Sequence, residues 1–386
     1  VPVAALVALV SPLLVDTASA LLGPVEDRLA QRFVDTASAR LTDVAPIVVG
    51  ITGSYGKTST KAYVAHLCRP WRRVVASPAS YNNRAGLSRA INEGLGPGTE
   101  VFVAEMGTYG PGEIAELCRW CPPRIAAITA IGPVHLERFG TEDNIVTAKQ
   151  EIFGPAQVAV LNVDDARLEA VAGQQQARGL RVWRCSALDP DADVCARPLG
   201  EDLVVTVRGE PLVTVAAPGV QPTNAAVAVA VALELGAAPE VVASALATLP
   251  PVASRQAVTT LTTGATALDD TFNSNPAGCR AAVAAMDRLA SPAGKRVVVT
   301  PGMVELGPRQ RDENVAFGEL LAQRATHVLI VGWTNRAAML AGVATGSPGP
   351  TVRCVDSRAD AVAWVRQNTG PGDVVLYEND LPDHYP

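Results

Sequence analysis

The stretch Val48–Lys61 constrains the fold of this chain more than any other part of the sequence. It reads V-V-G-I-T-G-S-Y-G-K-T-S-T-K and continues a β-branched run that begins at Ile47. The pattern predicts a strand over Ile47–Thr52, a glycine turn, and a helix that begins at Lys57. Glycines let the backbone approach an anion closely, and the free N–H groups of a helix N-terminus favour negative charge. We therefore expect phosphate groups to bind along this turn, at Gly53, Ser54, Tyr55, Gly56, Lys57, Thr58 and Ser59.

Two side chains of this turn have specific expected roles. In a phosphate-binding loop of this kind the lysine, here Lys57, reaches the β- and γ-phosphates, and the next hydroxyl, on Thr58, holds Mg²⁺. The match to the general pattern is partial, because that pattern has a glycine where Ile51 stands. An ordinary glycine turn before a helix is the alternative. A G-K-T-S-T run directly after a strand is much rarer than a lone glycine pattern, so phosphate binding is the favoured interpretation.

Composition limits the classes of protein to consider. The chain has 386 residues, which is enough for two or three domains that each bury a core. The net charge is −6 and only 18% of the residues are charged, so there is no basic surface for nucleic acid and we expect no such partner. The hydrophobic share of 48% is typical of a globular protein rather than a disordered one.

The seven cysteines indicate a reducing compartment. An odd number in a chain of this length does not suggest a disulfide framework, so we expect a cytoplasmic protein. The close pair Cys118-x-x-Cys121 lies in an apolar stretch with helical spacing, and no matching second pair lies nearby. Structural zinc usually has four ligands, so we expect buried helix residues here rather than a zinc site.

Residues 1–46 form an apolar N-terminal segment with a helical pattern. The chain begins with valine rather than methionine, so we expect further sequence upstream. Val1–Val15 carries no charge but is too short to span a bilayer, and Asp16 follows it. This stretch could be the end of a longer membrane segment, an interfacial helix, or a helix packed on the body. We favour membrane association of the full-length protein through this segment, at the inner face of the cell membrane.

From Ile47 onward, short β-branched runs alternate with helical patterns. Such alternation predicts an α/β fold with a mostly parallel sheet in a central domain over residues 47–250, and a probable hairpin around Gly209-Glu210. Pro250-Pro251 is the expected boundary, because two prolines stop a helix. A second alternation over residues 251–386 predicts a smaller, Rossmann-like α/β domain. The predicted strands are Ile47–Thr52, Val74–Ala76, Val101–Glu105, Ile125–Thr129, Val158–Asn162, Ala267–Asp269, Val297–Thr300, Val328–Val331, Val352–Val355 and Val374–Tyr377.

Three further side chains accompany the phosphate-binding turn. Glu105 ends a predicted strand, at the edge of an open α/β sheet where ligands sit, so a role at magnesium is favoured over an ordinary surface acid. His135 follows the next strand and would lie at the same edge, although a lone histidine is more often structural. Lys149 lies in a helical pattern and, taken alone, resembles a solvated surface lysine.

Three long strings around these residues resemble the central domain of the Mur ligase family. They read A-E-M-G-T-Y-G-P-G-E-I-A-E-L, A-I-T-A-I-G-P-V-H-L-E-R-F-G-T-E-D-N-I and A-K-Q-E-I-F, and the resemblance runs in order from about Val48 to Asp373. It implies a ligase that uses ATP and two Mg²⁺ ions to form an acyl phosphate from a carboxylate, which the amine of an amino acid or dipeptide then attacks. The expected setting is peptidoglycan or related envelope synthesis.

The resemblance also assigns expected roles in the central domain. Lys57 and Thr58 match phosphate and magnesium residues, and Glu105 and His135 match further magnesium-site residues. Lys149 matches a lysine that family members carbamylate, so that it ligates or orients the second metal. Two asparagines in Y-N-N-R-A-G match a loop near the substrate, namely Asn82 and Asn83.

The remaining matches lie nearer the C-terminus. Asn224 matches an asparagine beside the adenine, and Arg255 an arginine that reaches the γ-phosphate from the hinge between the domains. The string D-D-T-F-N-S-N-P resembles a segment that closes over the nucleotide, through Asp270, Asn273 and Asn275.

Two departures from the family pattern limit what the resemblance implies about substrates. The family places a uridine-nucleotide domain before its phosphate-binding loop, whereas residues 1–46 are apolar and not α/β in pattern, and the C-terminus reads V-L-Y-E-N-D-L-P rather than a V-K-G-S-type string. Two alternatives to an envelope ligase therefore stay open. One is the same chemistry on a soluble acceptor without UDP, as in poly-amino-acid or folate-type relatives. The other is a catalytically idle nucleotide-binding regulator of envelope synthesis.

Overall fold

The computed structural model describes residues 2–200, 202–217, 219–249, 257–271 and 274–380, and it contains two separate β-sheets. The first sheet has nine strands. They are β1 (Ile47–Thr52), β2 (Val74–Ala76), β3 (Val101–Glu105), β4 (Ile125–Ile128), β5 (Val158–Asn162), β6 (Arg181–Ser186), β7 (Val194–Leu199), β8 (Asp202–Val207) and β9 (Glu210–Ala216).

Helices cover both faces of this sheet. In chain order they are α1 (Pro2–Val44), α2 (Lys57–Cys68), α3 (Arg84–Gly94), α4 (Glu113–Trp120), α5 (Leu136–Phe139), α6 (Glu142–Gln150), α7 (Ala166–Ala177), α8 (Pro222–Glu234) and α9 (Pro239–Leu246), with a 3₁₀ turn over Glu151–Phe153. Alternate side chains of β1 point to opposite layers. Val49 and Ile51 pack with α2 and α8, whereas Val48 packs with Phe102 of β3 and with α3 and α4. Strands buried on both faces in this way form the continuous apolar runs seen in the sequence.

The strand order is β2-β3-β1-β4-β5-β6-β7-β8-β9, with parallel pairing from β2 to β7 and antiparallel pairing from β7 to β9. β1 lies between β3 and β4, so the chain runs to opposite sides of β1 after successive strands. Ile51 pairs with Glu105 and Thr52 with Ile128, which brings the carboxyl ends of three strands together. A crevice at such a reversal point is where open α/β sheets bind ligands.

The second sheet contains β10 (Ala257–Thr260), β11 (Thr266–Asp270), β12 (Arg296–Thr300), β13 (His327–Val331), β14 (Thr351–Val355) and β15 (Val374–Glu378). Its order is β10-β11-β15-β12-β13-β14, and only β10 pairs antiparallel within this sheet. Its helices are α10 (Pro276–Leu289), α11 (Gln310–Arg324), α12 (Arg336–Val343) and α13 (Arg358–Asn368), with a 3₁₀ turn over Gly307–Arg309. The predicted fold class, a mostly parallel phosphate-loop domain with a smaller Rossmann-like one, is confirmed.

Several boundaries differ from the sequence-based expectation. The sequence pattern over Thr141–Phe153 predicts a single helix, and this prediction is wrong at its end, because α6 ends at Gln150 and the last turn tightens to a 3₁₀ turn over Glu151–Phe153. Six helices and strands were not predicted, namely β6, β7, β10, α5, α7 and α12. The strand signal of β7 is weak because its second half is exposed and lacks an apolar run, and its other edge pairs antiparallel with the β8–β9 hairpin. The predicted boundary at Pro250-Pro251 lies outside the described residues and stays a prediction.

The C-terminal end of helix α1 packs on the first sheet's layer of helices. Val34, Ala37 and Leu41 are buried against that layer, and the Arg40 guanidinium donates to the carbonyl oxygen of Leu95 at 3.3 Å. Phe33, one position before Val34, is 60% exposed. Among the described residues, no helix is both long enough and apolar enough to cross a membrane. Packing on the body, one of the three alternatives for this segment, is therefore observed for its last part.

Candidate active site

The turn between β1 and α2 has the backbone conformation that a phosphate-binding turn needs. Gly56 has φ 78° and precedes Lys57, the first residue of α2. A Cβ atom at Gly56 would lie 2.3 Å from Oδ1 of Asn224, so only glycine fits there. The Lys57 ammonium donates to the carbonyl oxygen of Gly53 at 2.7 Å and so folds back over the turn. Gly56, the N-cap residue of α2, has no side chain that could cap the helix, and backbone N–H groups at a helix N-terminus favour anions.

A cavity of about 530 Å³ opens in front of this turn. Residues that follow strands of both sheets line it, so the cavity lies between the two α/β units. Its lining residues are Ser54, Tyr55, Gly56, Lys57, Thr58, Ser80, Asn82, Asn83, Glu105, Tyr109, Thr271, Asn275 and Asp380. Most of the residues predicted from the turn and from the Y-N-N-R-A-G loop therefore meet at one site, together with Asn275 of the second unit.

Glu105 is the most heavily hydrogen-bonded side chain in this cavity. Its side chain is 1% exposed, and its Oε2 accepts from the Thr58 hydroxyl at 3.0 Å and from the Lys61 ammonium at 2.9 Å. Its Oε1 accepts from the Asn82 amide at 3.1 Å. A buried carboxylate needs partners of this kind, because an unpaired charge is costly to bury.

Lys61 was not singled out from the sequence. It lies four residues after Lys57 on α2, so the two lysines share one face of the helix, and this spacing was the available signal. Its side chain is only 5% exposed, and its ammonium also donates to the carbonyl oxygen of Ala79. The cation therefore ties α2 to the end of β3.

The residues at this position fit a magnesium ion by the chemistry of their donors. Mg²⁺ prefers carboxylate and hydroxyl oxygens and keeps several waters, and the carboxylate of Glu105 and the hydroxyl of Thr58 adjoin each other at the cavity wall. No group of three or more His, Cys, Asp or Glu side chains within the described residues is arranged to hold a metal. A site here would therefore draw its remaining oxygens from phosphates, water or a modified lysine.

Lys149 is buried, so the alternative of a solvated surface lysine is wrong. It lies in α6 and is 3% exposed. Burial, and then the nearby charge of Lys57, holds the pKa of its amine well below the usual lysine value. A neutral amine is the form that can react with carbon dioxide, so this environment suits the predicted modification.

His135 meets a residue of the second unit. Its Nδ1 contacts the carboxylate of Glu305, and its ring lies edge-on to Tyr109, with 4.7 Å between ring centroids. Tyr109 lines the cavity, so His135 stands directly behind the cavity wall. Glu305 lies in the string G-M-V-E-L-G, and no local pattern predicts that it approaches His135.

The two asparagines of the predicted substrate loop have different local roles. The Asn82 side-chain amide donates to Glu105, and the backbone carbonyl oxygen of Asn82 accepts from the Gly107 N–H at 2.7 Å. Asn83 caps the N-terminus of α3, where its Oδ1 accepts from the Gly86 N–H at 2.9 Å. Both line the cavity, and the cap explains why an amide is present at Asn83.

The remaining predicted nucleotide residues are placed unevenly. Asn224 is 6% exposed and packs against Gly56, which brings α8 to the phosphate turn. Asp270 ends β11, and Asn275 caps α10 by accepting from the Gly278 N–H at 2.9 Å. The predicted residues Arg255 and Asn273 lie outside the described residues.

A buried glutamate, Glu378, ends the last strand of the second sheet. It accepts hydrogen bonds from Ser274, from the Cys279 thiol at 3.0 Å and from the Thr300 hydroxyl at 3.3 Å. Burial raises the pKa of its carboxyl to about 7. It belongs to the C-terminal string that departs from the family pattern.

Comparisons with known proteins agree with this geometry. Family models named Mur ligase middle domain and Mur ligase, glutamate ligase domain match residues 51–232 and 254–377. The UDP-N-acetylmuramoyl-tripeptide–D-alanyl-D-alanine ligase of Mycobacterium tuberculosis is 35% identical over 378 residues, which cover 89% of this chain and 72% of that relative.

Solved structures give the same result. The MurF ligase from Thermotoga maritima in complex with ADP is 26% identical, with a TM-score of 0.76, over 91% of this chain and 80% of that chain. MurF from Acinetobacter baumannii, at 24% identity, shows the same fold with a TM-score of 0.76 over 91% of this chain and 77% of that chain. The chain therefore belongs to the Mur ligase family and is an ATP-dependent, amide-forming ligase of peptidoglycan synthesis.

Proposed function

We propose that the protein joins the carboxylate of a small acceptor to the amine of an amino acid or dipeptide, and that it forms an acyl phosphate on the way. The substrates in the relatives' name, a UDP-N-acetylmuramoyl tripeptide and D-alanyl-D-alanine, are the leading candidates. The observation that carries the proposal is the cavity between the two units, because the phosphate turn lines one side and Thr271, Asn275 and Asp380 line the other. A reaction that needs ATP, a carboxylate and an amine at one place fits such a space.

The chemistry explains why ATP is required. A carboxylate does not react with an amine at neutral pH, because the leaving group would be oxide. Transfer of the γ-phosphoryl group to the carboxylate oxygen gives an acyl phosphate and ADP. The amine then attacks the carbonyl carbon, and phosphate leaves as the amide forms. The protein's part is positioning and neutralisation of charge.

The described residues support distinct parts of this work. The backbone N–H groups at the start of α2 and the Lys57 ammonium would bind the β- and γ-phosphates. Asn224, beside the turn, would lie near the nucleotide's base, and Asn82 and Asn83 would face the acceptor. The roles expected of Arg255 and Asn273 stay predictions.

Thr58 and Glu105 would hold one Mg²⁺, and His135 and Lys149 would serve a second. When bound, magnesium supplies positive charge to the transferring phosphoryl group. Lys61 already neutralises part of the Glu105 charge, so Glu105 has an ionic partner before ATP arrives. We propose that Lys149 acts as a carbamate, because burial favours the neutral amine and the modified group would bring two oxygens and a negative charge.

We also propose that α1 attaches the protein to the inner face of the cell membrane. The helix has an exposed apolar pair, Leu29 at 51% and Phe33 at 60%, just before its packed end. Residues 1–25 contain one charged residue, Asp16, and Glu26, Asp27 and Arg28 stand directly before Leu29 in the same helix. An amphipathic or apolar helix of this kind would bring the cavity close to lipid-linked steps of envelope synthesis.

A second candidate acceptor is a soluble carboxylate without UDP. One observation favours it: the C-terminal string V-L-Y-E-N-D-L-P, in which Glu378 is buried, differs from the family's V-K-G-S-type string. Both candidates use the same phosphoryl chemistry. They differ in whether the acceptor carries a UDP-linked group, which would lie outside the cavity.

The deciding experiment measures phosphate release from Mg-ATP by the purified protein. Panels of amino acids and dipeptides are offered together with UDP-linked and UDP-free carboxylates. The masses of the products are then measured by mass spectrometry. We expect release that requires both an acceptor and an amine, with a product mass equal to their amide. Lys57→Ala should lower the rate about 100-fold or more, because it removes a donor from the phosphates, whereas Lys295→Ala in the second sheet should not.

ATP binding without release under any pairing would contradict the proposal and favour a regulatory nucleotide-binding protein. Normal turnover in Lys57→Ala would exclude the phosphate assignment of the turn.

A further inference from the structure

The loop that follows β12 docks on the segment that follows β4. The loop comprises Pro301–Leu306, and its partner segment is His135–Phe139, in the other α/β unit. Three contacts join them. The carboxylate of Glu305 meets Nδ1 of His135, the carbonyl oxygen of Glu305 accepts from the Leu136 N–H at 3.0 Å, and Gly307 packs against Leu136.

The Glu305 loop is held firmly from behind. The Met303 N–H donates to Oδ1 of Asn314 at 2.8 Å, and the Asn314 amide donates back to the carbonyl oxygen of Met303 at 2.9 Å. Asn314 is fully buried in α11, and Leu306 is 1% exposed. The carboxylate of Glu305 is therefore carried by a fixed backbone rather than by a freely moving loop.

Both residues of the contact have left-handed backbone conformations. His135 has φ 54° and Glu305 has φ 63°, which side chains with a Cβ atom rarely adopt. Such conformations persist only where surrounding contacts hold them, and they concentrate at functional sites. Here each strained residue lies opposite the other, so the docking of the two units holds both conformations at once.

We propose that Glu305 is a positioning residue that fixes the orientation and tautomer of His135. An imidazole that donates Nδ1–H to a carboxylate keeps its lone pair on Nε2. A carboxylate behind a histidine orients the ring and raises its basicity as a ligand, and loss of such a partner typically weakens metal binding about 10- to 100-fold. The inference rests on the proposed function in one respect, namely that His135 acts through Nε2 at the phosphate site.

Docking of the second unit on the first is therefore one of the steps that assemble the site around His135. Glu305 belongs to the second sheet's unit and His135 to the first, so His135 receives its orienting partner only when the two units meet. Tyr109, edge-on to the imidazole, restricts the ring from another side. The first unit alone would therefore contain His135 without a fixed tautomer.

The same interface offers a matched control. Arg309 pairs with Glu142 of α6 at 2.8 Å, across the same boundary, and its second ionic partner is Glu313. Its side chain is 52% exposed. Arg309→Gln thus removes an ionic contact between the units and leaves the imidazole and its carboxylate in place.

The test is the tautomer of His135 in the full nucleotide-free and metal-free chain, read from long-range ¹H–¹⁵N NMR of protein with ¹⁵N-histidine. The chain has only four histidines, so His135→Gln assigns the signal. At about pH 8, where an ordinary imidazole is neutral, we expect the Nδ1–H form. Glu305→Ala should return the ring to the Nε2–H form that free imidazole side chains prefer, and Glu305→Gln, whose amide oxygen still accepts, should keep the Nδ1–H form.

A second readout follows Mn²⁺ binding by electron paramagnetic resonance. Affinity should fall about 10- to 100-fold in Glu305→Ala and stay near the parent value in Arg309→Gln. An unchanged tautomer in Glu305→Ala would overturn the proposal. So would an equal tautomer change in Arg309→Gln, because the effect would then come from docking in general. Neither spectrum depends on which acceptor or amine the ligase uses, so failure here and failure of the proposed function are distinguishable.

Discussion

The side chains of this site depend on burial as much as on identity. Lys57, Lys61 and Lys149 are three of the chain's four lysines, and all three converge near the phosphate turn. Their surroundings separate them chemically. Lys61 is paired with Glu105, Lys57 binds the carbonyls of the turn, and Lys149 is buried with a lowered pKa. One residue type therefore occurs here as a buried cation in an ion pair, as a cation folded back over the turn, and as a buried amine with a lowered pKa.

The lowered pKa of Lys149 predicts how stability changes with pH. Below the usual lysine value of about 10.4, the unfolded chain binds a proton at Lys149 that the folded protein does not bind. Stability must therefore rise with pH between the lowered folded value and about 10.4. Lys149→Met should unfold at a higher temperature than the parent near neutral pH in buffer free of carbon dioxide, and the difference should shrink as pH rises towards 10.4.

Thermal unfolding of both proteins over this pH range is the measurement, and Lys295→Met is the control because its ammonium is only partly buried. A stability gain of Lys149→Met that does not change with pH would contradict the lowered pKa.

The carbamate proposal predicts that the Lys149→Ala variant loses activity, and that added short carboxylates partly restore it. Full activity from an unmodified Lys149 would exclude the carbamate.

At the scale of the elements, the start of α2 decides whether the cradle forms. Gly56 satisfies two demands, a positive φ and the close approach of Asn224 from α8. Gly112 at the start of α4 has the same kind of backbone, with φ 89°, but a Cβ atom there would meet nothing within 4 Å. Substitutions at these two glycines therefore separate the cost of backbone strain, which both share, from the cost of steric contact, which only Gly56 has.

Gly112→Ala should cost about 1–2 kcal/mol of unfolding free energy, the usual cost of a left-handed conformation with a side chain. Gly56→Ala should cost more, because Asn224 must also move, and it should weaken ATP binding at least about 10-fold. Chemical denaturation and calorimetric titration with ATP measure the two effects. Equal costs at both glycines would show that Asn224 does not confine the turn.

At the scale of the whole molecule, one helix and one interface decide how the site is presented. The exposed pair Leu29 and Phe33 tests the role of α1. The double variant Leu29→Ser with Phe33→Ser should lower cosedimentation with phosphatidylethanolamine–phosphatidylglycerol vesicles several-fold, because it removes apolar area from the bound face. Trp333→Ser, which removes a side chain that is 63% exposed on the second unit, should leave cosedimentation unchanged.

If the double variant binds vesicles as well as the parent, this part of α1 does not contact lipid. If Trp333→Ser loses binding equally, the attachment is a general effect of exposed apolar side chains, and the membrane role of α1 is wrong.

Much of the fold could be predicted because its local signals are strong. The strand bounds of β1, β2, β3 and β5 were predicted to the residue, since buried parallel strands form continuous apolar runs between glycines and helix starts. β7 was missed because its exposed half, Arg197–Leu199, lacks such a run. The interpretation of Lys149 as a solvated surface lysine was wrong for a related reason. Burial of a polar residue depends on neighbours from distant parts of the chain, and helical periodicity does not report them.

The sequence by itself determined the phosphate turn, the alternation of strands and helices, and the family. These depend on residues close together in the chain, whose backbone preferences and spacing act locally. The tertiary structure alone decided which strand ends meet and therefore which side chains share the cavity. The pairing of Glu105 with Lys61 follows from the position of β1 beside β3, and the contact of His135 with Glu305 spans 170 positions of sequence. Contacts of that range are set by strand order and by the docking of the two units.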